Sequence, residues 1–114
     1  MHVDIQARGF RLTPGLHEYT QRRLWFAFVS IHPKVGRIAI RLTDDNGPRG
    51  GQDKRCQVRV SVRGARGVVI EDREPDLYVA ISRAIDRAGR TVARRLARSR
   101  DDRRGLVPSA GGAA

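Results

Sequence analysis

Acidic residues are scarce in this chain of 114 residues: 12 Asp and Glu stand against 23 Lys and Arg, a formal charge of +11. So lopsided a balance favours polyanionic partners, nucleic acid first and anionic lipid second. Cysteine occurs once, at Cys56, which rules out an intrachain disulfide and suits a reducing cytoplasm. No apolar run approaches the roughly 20 residues needed to cross a bilayer, so no membrane-spanning helix is expected. The opening MHVDIQARGF lacks the charged-then-apolar layout of a secretion signal, and a cytoplasmic location is expected. Aromatic residues make up 5% and hydrophobic residues 39%, enough for one thin core in a single domain.

Two hydrophobic periods run through the chain. His2 to Arg8 alternates, with Val3, Ile5 and Ala7 on one side, as a half-buried strand does. Thr13-Pro14 offers an N-cap followed by proline at the first helical position, and a helix is predicted from Pro14 to Val29. Its inner stripe would be Leu16, Tyr19 or Thr20, Leu24, Ala27 and Phe28; of Trp25 and Phe26, one is expected in the core and one outside. His32-Pro33 ends it. Alternation resumes over Val35 to Thr43 and Lys54 to Arg63, joined by a long Gly-rich hairpin loop, DDNGPRGGQD. A short strand, Val68 to Glu71, then precedes a closing helix from Pro75-Asp76 to about Ser99 or Arg100, with Glu71, Asp72, Glu74 and Asp76 gathered at its positive pole. Residues 101–114 read as a flexible tail behind a domain spanning residues 1–100.

The closing helix has two faces. At about 100° per residue, Leu77, Ile81, Ile85, Ala88, Val92 and Leu96 occupy roughly one third of its circumference. Arg83, Arg87, Arg90, Arg94 and Arg98 cluster in a strip of about 80° on the opposite side. Solvated helix faces are commonly charged, but they mix signs, and here Asp86 is the only acid between Arg83 and Arg100. A single-sign strip points to phosphate. The planar guanidinium can hold two phosphate oxygens or stack on an unpaired base, and such contacts give affinity more than sequence reading.

Other residues carry weaker signals. In the loop, Gly47, Gly50 and Gly51 expose backbone N–H groups beside Arg49, Lys54 and Arg55, which together suit a second phosphate contact. Asp44-Asp45-Asn46-Gly47 lacks the layout of a calcium loop, and turn chemistry is its simpler meaning. Cys56 alternates in phase with Val58 and Val60 and is expected in the core. His2, His17 and His32 lie in unrelated settings, so no metal site is expected. The outer sheet face, with Arg37, Arg41, Arg55, Arg59 and Arg63, is basic but lacks the paired aromatics of a sheet that reads single-stranded RNA.

The element order β-α-β-β-β-α, the pattern Asp76-Leu77-Tyr78-x-Ala80-Ile81 at a helix start, and Asp86, Arg87, Arg90 and Arg94 downstream resemble the ribosome hibernation promoting factor family, also called ribosome-associated inhibitor or sigma-54 modulation proteins. Leu16, Tyr19 and Leu24 match the apolar positions of that family's first helix. The resemblance covers about residues 1 to 100. It implies an α+β fold, with two helices on one face of a four-stranded sheet, similar to a double-stranded-RNA-binding domain. It also implies a factor that binds the small ribosomal subunit and its rRNA in the channel for messenger and transfer RNA, inhibiting translation under stress or in stationary phase. Carried over by position, the RNA-binding residues are Arg83, Arg87, Arg90 and Arg94, with Arg22 and Arg23 of the first helix behind them. Ser82 stands where the family often has Asp, and the long loop suggests a distinct subgroup. No C-terminal dimerisation domain fits in the remaining residues, so a monomer is expected.

These readings lead to a non-enzymatic ribosome-binding factor without cofactor, small-molecule substrate or membrane partner. The competing readings are a general structured-RNA binder, a regulator of an acidic protein, and an RNA-processing enzyme using Asp44, Asp45 and Asp53.

Overall fold

The structure, a computed structural model, describes residues 1–44 and 53–106, with side chains as far as residue 100. The elements follow the expected order: β1 (His2–Arg8), α1 (Pro14–Phe28), a 3-10 turn (His32–Lys34), β2 (Val35–Asp44), β3 (Lys54–Val62), β4 (Val68–Glu74) and α2 (Leu77–Leu106). The sheet order is β1-β2-β3-β4. β1 lies parallel to β2, which requires the crossover that α1 provides, and the remaining pairs are antiparallel.

Register sorts the sheet into a dry face and an open one. Val3, Ile5 and Ala7 line up with Ile38, Ile40 and Leu42, and these with Val60, Val58 and Cys56. Both helices cover this face: Leu16, Leu24 and Phe28 of α1 and Ala80, Ile81, Ala84, Ile85, Ala88 and Val92 of α2 join the same buried cluster. Each large aliphatic side chain so buried contributes about 1.5–3 kcal/mol, against repulsion of a few tenths of a kcal/mol per like-charged pair on an isolated helix. Packing therefore outweighs the arginine strip, and α2 holds its shape with its charges outward.

Local chemistry sets the ends. Thr13 caps α1 by accepting from the Leu16 N–H at 3.2 Å, with Pro14 in the first turn. α2 begins behind Asp76, whose carboxylate accepts from the Tyr78 N–H at 2.9 Å. Of the acids expected at this helix pole, Asp76 alone caps it; Glu71, Asp72 and Glu74 belong to β4, which runs three residues past the expected Glu71. At its other end α2 runs beyond Arg100 to Leu106, since nothing between Arg100 and Gly105 breaks a helix. Residues 107–114 of the expected tail lie outside the described residues.

Trp25 and Phe26 depart from expectation, because both are exposed, at 53% and 68%. The buried stripe of α1 is the narrow four-residue series Leu16, Thr20, Leu24, Phe28, and the two aromatics lie about 100° and 200° around the helix from Leu24. Trp25 instead forms a tilted stack on His32, with ring centroids 6.0 Å apart.

Candidate nucleic-acid interface

Arg83, Arg87, Arg90, Arg94 and Arg98 are all exposed along α2, directed away from the core. Their surroundings differ along the helix. The first half of α2 lies between α1 and the end of β4. Three contacts in step join the helices: Tyr19 Oη to Ser82 Oγ at 2.5 Å, Arg23 Nη2 to both Asp86 oxygens at 2.7 and 2.8 Å, and the backbone of Ala27 against Gly89. Residue numbers rise together along both helices, so they run parallel, and Tyr19 adds an edge-on contact with Tyr78 at 4.8 Å between centroids.

On the other flank of that half, β4 brings up its own acceptors. Arg83 Nη1 sits 3.6 Å from Glu74 Oε2, and Arg87 donates to the Glu71 carbonyl at 3.3 Å. Asp72, Arg83, Asp86, Arg87 and Arg90 together line a bay of about 400 Å³. The role of Asp72 and Glu74 was missed by the sequence pattern, yet a signal existed: Val68, Ile70, Asp72 and Glu74 keep one alternation phase, which puts these acids on the helix side of the sheet.

Beyond Gly89 the setting changes. α1 ends at Phe28, and the second half of α2 is held instead by the β3–β4 turn. Arg95 donates to the Gly67 carbonyl, and Ser99 Oγ donates to the Gly64 carbonyl at 2.7 Å. Gly64, at φ 73°, takes the left-handed conformation that lets this turn close. Arg95, outside the predicted strip, is thus a structural clamp. Arg90, Arg94 and Arg98 have no carboxylate partner among the described residues; Arg94 reaches only the Thr91 hydroxyl, at 3.5 Å. One turn of helix spaces their Cβ atoms by roughly 5–6 Å, so they form a short row of positive charge unpaired with any carboxylate among the described residues.

The remaining candidates are dispersed. Arg22 is exposed and pairs with Glu18 one turn earlier, at 3.4 Å. Arg23 is half-buried in its two-pronged grip on Asp86, with Nε buried and unbonded, so it braces the two helices rather than facing solvent. Arg49 lies outside the described residues, as do Asp45, Gly47, Gly50 and Gly51. Lys54 Nζ is held 3.1 Å from Asp44 and 3.2 Å from the buried Asp53. The hydrogen bond that Lys54 donates to Asp44, which outweighs the opposing desolvation, pushes the Lys54 ammonium above its ordinary 10.5. This ammonium closes the hairpin base, and two of the three acids considered for chemistry, Asp44 and Asp53, are paired with it. Arg55 is half-buried on the open face of the sheet and pairs across β4 with Arg73, well away from the strip on α2.

Cys56 is fully buried, and burial, with a smaller contribution from Asp72, pushes its thiol from 9.0 to about 12, which leaves it protonated and unreactive. Among the described residues no group of three His, Cys, Asp or Glu side chains is placed to hold a metal ion. Nor is any described helix long and apolar enough to cross a membrane.

Comparison with known proteins agrees with this architecture. The N-terminal domain of Protein Y from Thermus thermophilus superposes with a TM-score of 0.68 at 24% identity, covering 82% of this chain and 98% of that one. A ribosomal subunit interface protein from Coxiella burnetii superposes with a TM-score of 0.70 at 16% identity, covering 85% of this chain and 99% of that one. At such identities the likeness establishes the fold alone. A search of curated proteins finds no match. The sequence itself, however, matches the model of one family over residues 3–100, nearly all of the described domain, and the chain belongs to that family, the sigma 54 modulation protein / S30EA ribosomal proteins.

Proposed function

We propose that this chain is a ribosome-associated hibernation factor that binds the rRNA of the small ribosomal subunit in the channel for messenger and transfer RNA and inhibits translation under stress or in stationary phase. The observation that carries the reading is the row Arg90, Arg94 and Arg98, exposed on a rigid helix with no carboxylate partner among the described residues. Family membership supports the ribosome as the source of the RNA. Arg83 and Arg87 extend the row, partly offset by Glu74 and by the Glu71 carbonyl. Binding is by backbone contacts: the guanidinium groups grip phosphates, and the fit of the domain into its groove selects the site. A cytoplasmic location follows from the partner. The domain acts as a monomer, without catalysis or cofactor.

Co-sedimentation with purified small ribosomal subunits tests this. The wild-type chain pellets with subunits, whereas the triple variant Arg90→Ala, Arg94→Ala, Arg98→Ala stays largely in the supernatant while keeping its melting temperature. Equal pelleting of the two rejects the assignment. A wild-type chain that binds free duplex RNA as tightly as intact subunits would favour a general structured-RNA binder instead.

A further inference from the structure

Among the described residues nothing forms a second layer on the face of the sheet turned away from the helices, and the charge of that face is nearly of one sign. Register places Arg37 opposite Ser61, Ala39 opposite Arg59, Arg41 opposite Gln57 and Thr43 opposite Arg55. Arg37, Arg59, Arg41 and Arg55 therefore form a zigzag across β2 and β3, each a diagonal neighbour of the next at about 7–8 Å. These are the two central strands, so the charges are not the guard residues that blunt exposed sheet edges. Arg8 stands beside them on β1 in the same row as Thr43.

Two acids, Asp4 and Glu71, share this face with the arginines. Glu71 lies 3.5 Å from Arg73, and Asp4 accepts from Gln6 at 3.4 Å. Arg37, Arg41 and Arg59 are exposed and have no carboxylate partner among the described residues; Arg59 reaches only the Gln57 side-chain oxygen, at 3.3 Å. Small side chains leave room between them. Ala39 and Ser61 help floor a shallow depression of about 440 Å³ flanked by Arg37 and Arg59, with Asp4 and Val69 on its rim. Every cation on this face is arginine; the only lysines in the chain are Lys34 and Lys54.

We infer that the open sheet face is a second RNA-binding surface, which takes the phosphate backbone of a different RNA segment from the one held by α2. Evenly staggered guanidinium groups around a shallow trough suit a continuous strand of phosphates better than the irregular carboxylates of an acidic protein. Because the sheet and the helix layer separate the two faces, one straight RNA segment cannot lie on both at once. The domain is then a wedge with RNA on either side. Identifying that RNA as ribosomal rests on the proposed function; the two-sidedness does not.

The test uses the full chain and three proteins: wild type, the ridge variant Arg90→Ala, Arg94→Ala, Arg98→Ala, and the sheet variant Arg37→Ala, Arg41→Ala, Arg59→Ala. Melting curves confirm that all three fold. Affinity for small ribosomal subunits is measured across a salt series. Energy transfer between donor- and acceptor-labelled short RNA duplexes reports whether one protein bridges two of them. The sheet variant is expected to bind subunits about tenfold more weakly, with a log-log salt slope shallower by about 3, one per lost phosphate contact. Wild type bridges duplexes, and neither variant does. A sheet variant with wild-type affinity, slope and bridging overturns the inference, and a weakened ridge variant in the same series leaves the proposed function standing. If the sheet variant loses only an acidic protein partner, the inference is likewise overturned.

Discussion

The arginines of α2 on either side of Gly89 share one strip in the sequence but not one environment. Before Gly89 the helix is flanked by α1 and by the end of β4, and Arg83 and Arg87 lean on Glu74 and the Glu71 carbonyl. After Gly89 the α1 flank ends, and although Arg90 still borders the bay with Asp72 and Asp86, Arg90, Arg94 and Arg98 have no carboxylate partner among the described residues. The lesson is that a periodic charge pattern shows which way residues point, whereas neighbouring elements decide how much of that charge is available. Half of the strip is brace, and half is free ridge.

Gly89 is where the comparison can be broken most forcefully. A Cβ there would lie 3.0 Å from the Ala27 carbonyl oxygen and 3.3 Å from its Cβ. Replacing glycine recovers up to about 1 kcal/mol of helix propensity, but forcing a branched side chain between packed helices costs about 1–3 kcal/mol, and Val recovers less propensity than Ala. Gly89→Val is therefore expected to lower stability by about 2 kcal/mol, read as a fall in the urea midpoint. A midpoint at or above wild type would show that α1 does not press on α2 there.

Next in size is Asp86→Ala, which removes the partner of Arg23. Both side chains are partly exposed, at 32% for Arg23 and 42% for Asp86, so screening limits the loss to about 1 kcal/mol. The accompanying Asp86→Asn should recover part of it by keeping a hydrogen bond. No change in either variant would mean that the clamp does not hold the first half in place.

Glu74→Gln sharpens the difference by freeing Arg83. RNA affinity is expected to rise about threefold, with a salt slope steeper by up to about 1. Unchanged affinity would show that Arg83 takes no part even when released.

Cys56 gives the smallest effect and reports on the floor beneath both halves. Because its folded thiol titrates at about 12 rather than 9.0, the folded state holds the proton more tightly. The associated stability is full below pH 9.0 and declines as pH rises towards about 12. Native protein at neutral pH should resist alkylation at Cys56, whereas Gly89→Val should speed it by loosening the helix layer. Rapid alkylation of the native wild type would contradict the core placement.

Much of this was legible in the sequence because it depended on local period. The alternation of β2 and β3, the Thr13-Pro14 cap and the two faces of α2 follow from residues within one or two turns of each other. Pairing across elements was not legible. Lys54 reads as one cation of a basic loop, and only the hairpin register brings Asp44 and Asp53 onto it. Glu74 reads as a helix-pole acid until β4 is seen to continue, when its phase turns it toward Arg83. The glycine at position 89 has its reason in Ala27, far away in the chain. Trp25 and Phe26 misled because aromatic residues usually bury, while this helix covers the core with a stripe too narrow to include them.

The most direct test of the central claim compares the two halves as ligands. Affinity for small ribosomal subunits would be followed across a salt series for Arg83→Ala, Arg87→Ala and for Arg90→Ala, Arg94→Ala, Arg98→Ala. The second set should flatten the log-log slope by about 3 and weaken binding about a hundredfold, and the first should change the slope by no more than about 1. Equal slopes for both sets and the wild type, or a larger loss from Arg83 and Arg87, would contradict the division of α2 into brace and ridge.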